Sequence, residues 1–141
     1  MESPGTGLQH FDSCIMTSLL GGEYEQVTPL FVRCGLKWEN AEVASLKRFF
    51  DALDCEAILP TVVLELGAAA MYGEHWSVGG APVPDTMAPD ADFFLPGRNL
   101  LLLSVAATYG SIHRISDIAI GILGTNPFPD AGQCFLRSME K

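Results

Sequence analysis

The chain is poor in positive charge. Eight Lys and Arg stand against 17 Asp and Glu over 141 residues, a formal net charge of -9. That balance argues against a broad nucleic-acid-binding face, which needs a basic stripe. It leaves room for one phosphate site, which needs a cation or two and some backbone amides. No run approaches the ~20 apolar residues of a membrane span. Residues 1–14 have neither a basic start nor an apolar stretch, so no secretory leader is expected. The four cysteines, Cys14, Cys34, Cys55 and Cys134, lack the close pairing of a zinc knuckle. Reduced, mostly buried thiols in a cytoplasmic protein are the expectation.

Hydrophobic residues make up 48% of the chain, enough for a core, and the length is that of one domain. Asp12 and Ser13 read as the cap of a helix over 13–20 that stops at Gly21 and Gly22. Residues 27–34 are rich in β-formers and end at Gly35, which predicts a strand. Val43, Leu46, Phe49, Phe50 and Leu53 recur near helical spacing opposite a polar face, which predicts a helix over 40–53. A second strand is predicted over 61–66, a buried helix over 98–113, a third strand over 118–123 and a closing helix over 130–140. The long stretch 73–97, with Gly79, Gly80, Pro82, Pro84, Pro89 and Pro96, reads as a functional or disordered loop. The alternation predicts an α/β fold, a parallel sheet with helices packed on it. Ligands of such sheets gather at the carboxyl ends of the strands.

The segment Phe94-Leu95-Pro96-Gly97-Arg98-Asn99 opens the apolar helix. Amides at a helix N-terminus favour anions, and an arginine there adds a forked donor suited to phosphate. His75 and Trp76 could stack on a purine, although a surface aromatic in a loop is an equal reading. Glu39 or Glu42 could hold a magnesium water, but acids in a first helical turn occur for dipole reasons alone, and that reading is ahead. The stretch Ser3-Pro4-Gly5-Thr6-Gly7 has no strand before it and is a weak phosphate-loop candidate.

Three segments together resemble the 7-cyano-7-deazaguanine synthase family, part of the PP-loop, adenine-nucleotide α-hydrolase-like pyrophosphatases. They are Asp12-Ser13, Leu95-Pro96-Gly97-Arg98-Asn99, and Ile120-Gly121-Ile122-Leu123-Gly124 leading through Thr125-Asn126 to Pro127-Phe128-Pro129-Asp130. The resemblance runs from about residue 11 to the end. It implies a Rossmann-like, three-layer parallel sheet in a single nucleotide-binding α/β domain over 1–141. It implies an ATP-dependent carbon–nitrogen ligase of queuosine-type nucleoside biosynthesis. The substrates would be 7-carboxy-7-deazaguanine and ammonia, with ATP and Mg2+ as cofactors. Asp12, Ser13, Arg98, Asn99 and Asp130 would converge on one cleft for ATP and substrate. No nucleic-acid or membrane partner is implied.

The chain departs from the family in three places. The family's phosphate loop reads Ser-Gly-Gly-x-Asp-Ser, and here Leu8-Gln9-His10-Phe11-Asp12-Ser13 stands in its place. The absent glycines would let backbone amides wrap a pyrophosphate. Residues 1–7 are not strand-like, and the family's C-terminal cysteine cluster for structural zinc has no counterpart. The chain thus reads as a family member altered or lost at both ends. Two further readings follow: a catalytically degenerate nucleotide- or base-binding remnant, and a chain that needs a partner, another copy of itself included, to complete its sheet.

Overall fold

The computed structural model describes residues 7–140, with side chains described from Asp12 onward. The reading of residues 1–7 as non-strand falls, Gly7 excepted, outside the described residues. The chain divides into two compact units, one up to Val83 and one from Pro84.

The first unit is built on two short parallel strands, β1 (Leu30–Arg33) and β2 (Val62–Glu65). Both are rich in Val and Leu, with Phe31 added in β1, a composition that packs well on a pleated surface. They run in register, Leu30 opposite Val62 and Arg33 opposite Glu65. An isolated parallel bridge between Val27 and Ile58 extends the pairing upstream. Ahead of β1 lies helix α1 (Gly7–Gly21), and between the strands lies helix α2 (Glu39–Leu53). The connection is a β-α-β crossover, as parallel pairing requires. Helices α1 and α2 pack on one another, with Cys14, Thr17 and Val43 buried on their inner sides.

Helix α2 starts one residue before its predicted beginning and ends at the predicted Leu53. Helix α1 differs at its start. Asp12 and Ser13 do not cap it; they lie within it, because the helix begins at Gly7. The carbonyl of Ser13 accepts the Thr17 hydroxyl at 2.7 Å, an interior-helix contact. Leu8 and Gln9 are good helix formers, and no glycine at 8–10 interrupts them.

After β2, a one-turn helix α3 (Ala69–Tyr72) precedes the predicted long loop, and a 3-10 turn (Trp76–Val78) orders its start. Gly35 and Gly67 follow the two strands with φ of +88° and +65°. Those angles suit glycine. A Cβ on Gly35 would lie 2.6 Å from Cβ of Ala69, whereas one on Gly67 meets nothing within 4 Å. Gly67→Ala is therefore expected to cost about 1 kcal/mol, from strain alone. Gly35→Ala is expected to cost about 2 kcal/mol or more, because the two loops must also part. Urea melts of the two variants check this, and equal losses would show that the contact with Ala69 is soft.

The second unit holds a 3-10 turn (Asp90–Asp92), helix α4 (Arg98–His113), another 3-10 turn (Pro129–Ala131) and helix α5 (Gln133–Met139). Helix α4 has the predicted bounds, but it is not buried. Among its residues only Gly110 is buried, while Leu100 is 44% and Ile112 71% exposed. Residues 118–123, expected as a third strand, form no strand. An apolar run becomes a strand only when a neighbour completes its ladder, and here Ile118 and Leu123 are exposed instead.

Candidate functional site

In the second unit, the chain turns into α4 at Gly97, whose φ of +70° is left-handed. Gly97 has no side chain with which to cap the helix. The cap arrives from Asp130, 31 residues beyond Asn99. The Asn99 amide donates to Asp130 Oδ2 at 2.9 Å, and Asn99 Nδ2 donates to the Asp130 carbonyl at 3.0 Å. Asp130 is 9% exposed. A carboxylate placed there meets both the open amides and the positive end of the helix dipole. Phe94 stacks on Phe128 with centroids 4.7 Å apart, and Phe128 N donates to Asn126 Oδ1 at 3.0 Å. Two predicted site residues, Asn99 and Asp130, are thus brought together as a clasp on the Pro-Gly-Arg-Asn turn. Arg98 is the first residue of α4 and is half-buried.

In the first unit, polar and aromatic groups gather where β1 and β2 end. Glu39 is 5% exposed. Its carboxylate accepts the Cys34 amide at 2.6 Å and the Gly35 amide at 3.2 Å. It does more than meet the helix dipole; it holds the turn that leaves β1. The Lys37 amide donates to the Ser77 carbonyl at 3.0 Å. Ser77 is fully buried. Its amide donates to His75 Nδ1 at 3.2 Å, and its Oγ lies 2.8 Å from the same nitrogen. The rings of Trp38 and Trp76 stack with centroids 5.3 Å apart and planes at 28°. Trp38 went unnoticed in the sequence. Its signal was a Lys-Trp pair shortly after a strand-ending glycine.

Asp12 and Ser13 belong to the first unit, Arg98, Asn99 and Asp130 to the second. Among the described residues, no group of three His, Cys, Asp or Glu is placed to hold a metal ion. Cys14 and Cys34 are buried, Cys55 is partly so and Cys134 is exposed, all as free thiols. Burial pushes the Cys14 thiol up. Among the described residues, no helix is long and apolar enough to cross a membrane.

A family model, the queuosine biosynthesis protein QueC, matches residues 9–141. The chain belongs to the QueC family. It is 30% identical over 137 residues to 7-cyano-7-deazaguanine synthase 1 of Desulfitobacterium hafniense, covering 92% of this chain and 58% of that protein. It is 32% identical over 77 residues to the 7-cyano-7-deazaguanine synthase of Laribacter hongkongensis, covering 53% of this chain and 33% of that one. The chain therefore spans somewhat over half the length of the first of these QueC relatives. No solved structure matches it. Family membership places the α/β fold, with its parallel strands and helices, within the PP-loop superfamily.

Proposed function

We propose that the chain serves as an ATP-dependent carbon–nitrogen ligase of the 7-cyano-7-deazaguanine synthase type, in the cytoplasm. Its acid substrate is 7-carboxy-7-deazaguanine and its nitrogen donor is ammonia, in queuosine-type nucleoside biosynthesis. The observation that carries the reading is the clasp between Asn99 and Asp130, which fixes the turn bearing Arg98. ATP, with Mg2+ on its phosphates, supplies activation of the carboxylate as an adenylate. Arg98 presents a guanidinium to the phosphate or acyl-adenylate, and its planar fork suits such an anion. Asn99 and Asp130 position that turn. In this reading the fold is the Rossmann-like, three-layer form of the superfamily.

The phosphate end fits poorly. Positions 8–13, where the family has its glycine loop, are helical. A helix gives its interior amides to its own carbonyls and keeps only the first turn's for a ligand. Asp12 and Ser13 then stand inside α1 rather than around a pyrophosphate. This one observation favours a second reading, a nucleotide- or base-binding remnant without turnover. A chain completed by a partner, a second copy included, is separated from both by its mass in solution.

The test is pyrophosphate release from ATP with 7-carboxy-7-deazaguanine and ammonia, beside ATP binding by calorimetry. The expected result is slow release at best. A hydrogen bond from a backbone amide to a charged phosphate is worth about 1.5–3 kcal/mol. A site short of two such bonds binds more weakly by about two to four orders of magnitude. Arg98→Ala is expected to weaken ATP binding at least tenfold. Robust turnover by the 141-residue chain would overturn the poor fit of the phosphate end. No turnover, with ATP binding still dependent on Arg98, would select the remnant.

A further inference from the structure

We propose that Trp38, stacked on Trp76 beside Lys37, is the platform for the planar heterocycle of the carboxylic acid substrate, with the Lys37 ammonium answering its carboxylate. This rests on the ligase reading and deepens it, because that reading gives no residue to the acid's ring.

Four rings form a row in the first unit. Trp38 lies 5.3 Å from Trp76, Trp76 5.5 Å from His75, and His75 6.4 Å from Tyr72, centroid to centroid. Both tryptophans are half-buried, so the row is partly open to solvent. It lies beyond the carboxyl ends of β1 and β2, the side on which parallel sheets take ligands. The row is held firmly. His75 is tied to the fully buried Ser77, and the Lys37 amide is tied to the Ser77 carbonyl. A Cβ added at Gly80 would fall 2.2 Å from Cα of Glu74, so the turn closes on itself tightly. A preorganised aromatic surface binds a flat ring at low entropic cost.

Charge decides the class of ring. Glu39 is the acid next to Trp38, and its carboxylate is turned onto the amides of Cys34 and Gly35. Lys37, on the other side of Trp38, is exposed, and its Cε lies 3.3 Å from a Cβ built on Gly79. The side chain thus lies along the same turn that carries Trp76. A flat ring with a short anionic substituent matches a tryptophan with one adjacent ammonium. An adenine nucleotide carries its negative charge on phosphates beyond the ribose, farther from the ring.

Trp38 and Trp76 are the only tryptophans of the chain, so all tryptophan emission reports this pair. The full chain is titrated with 7-carboxy-7-deazaguanine, with 7-cyano-7-deazaguanine, which lacks the carboxylate, and with ATP, by fluorescence and calorimetry. The acid is expected to change emission saturably and to bind at least tenfold tighter than the nitrile. Lys37→Met, at an exposed position, is expected to erase that preference. Trp38→Phe is expected to weaken the acid severalfold while leaving ATP affinity unchanged. Acid binding seen by calorimetry with unchanged emission would overturn the platform and leave the ligase reading standing. So would a preference that survives Lys37→Met, or an emission change caused by ATP and not by the acid. Absence of acid binding by either method would overturn both.

Discussion

Glu39→Ala is expected to lower stability by about 2–4 kcal/mol and to free the turn that follows β1. The carboxylate accepts two backbone amides, from Cys34 at 2.6 Å and Gly35 at 3.2 Å. Hydrogen bonds to a charged group are worth about 1.5–3 kcal/mol each. The two losses differ in kind. Cys34 is 1% exposed, so its amide would lose the carboxylate where water does not reach. Gly35 is exposed, and water can take its amide. The sum is therefore less than twice the single value. Glu39→Gln keeps one acceptor oxygen but turns an NH2 towards a donor, so an intermediate loss is expected. Trp38 precedes Glu39 in the chain, which makes tryptophan emission a local probe of the same event. Urea unfolding of the two variants measures the effect. A loss under about 0.5 kcal/mol for Glu39→Ala would show that the turn stands without the carboxylate.

The elements that were legible in the sequence are those whose pattern is local. Helix α2 announces itself by Val43, Leu46, Phe50 and Leu53 at helical spacing, and its observed bounds, Glu39–Leu53, differ by one residue. The two strands lie inside the predicted runs because Val, Leu and Phe cluster there between turn residues. Residues 118–123, Ile-Ala-Ile-Gly-Ile-Leu, are also apolar and form no strand, because strand formation depends on a neighbour that composition does not reveal. Asp12 and Ser13 are residue types that favour caps, yet a cap is made only at a helix end, and here both lie within α1. Helix α4 is apolar by composition, but burial depends on what packs against it. Glu39 reads as a dipole partner from its place in the first turn. Its actual partners are set by how the β1 turn folds back over the helix start. Asn99 and Asp130 were each singled out through the resemblance, while their mutual hydrogen bonds, across 31 positions, leave no local trace. The stack of Trp38 on Trp76 is hidden for the same reason.

Asp130→Ala is expected to destabilise the start of α4 by about 2–3 kcal/mol. The carboxylate does two things there. It accepts the Asn99 amide at 2.9 Å while 9% exposed, a charge-assisted bond worth about 1.5–3 kcal/mol. It also places a negative charge at the helix N-terminus, worth about 0.3–1 kcal/mol. Asp130→Asn keeps an acceptor of good capping type and loses only the charge, so about 0.5–1 kcal/mol is expected. The other half of the clasp runs from Asn99 Nδ2 to the Asp130 carbonyl and survives both changes. Asn99→Ala removes that half and keeps the amide bond. The double variant should lose less than the sum of the singles, because both bonds hold one segment to one helix end. Both tryptophans lie in the first unit, so emission would miss the event. Amide hydrogen exchange at Asn99 reads it directly: exchange faster by about thirtyfold or more in Asp130→Ala, and severalfold at most in Asp130→Asn. Unchanged exchange in Asp130→Ala would show that α4 holds its first turn without the carboxylate.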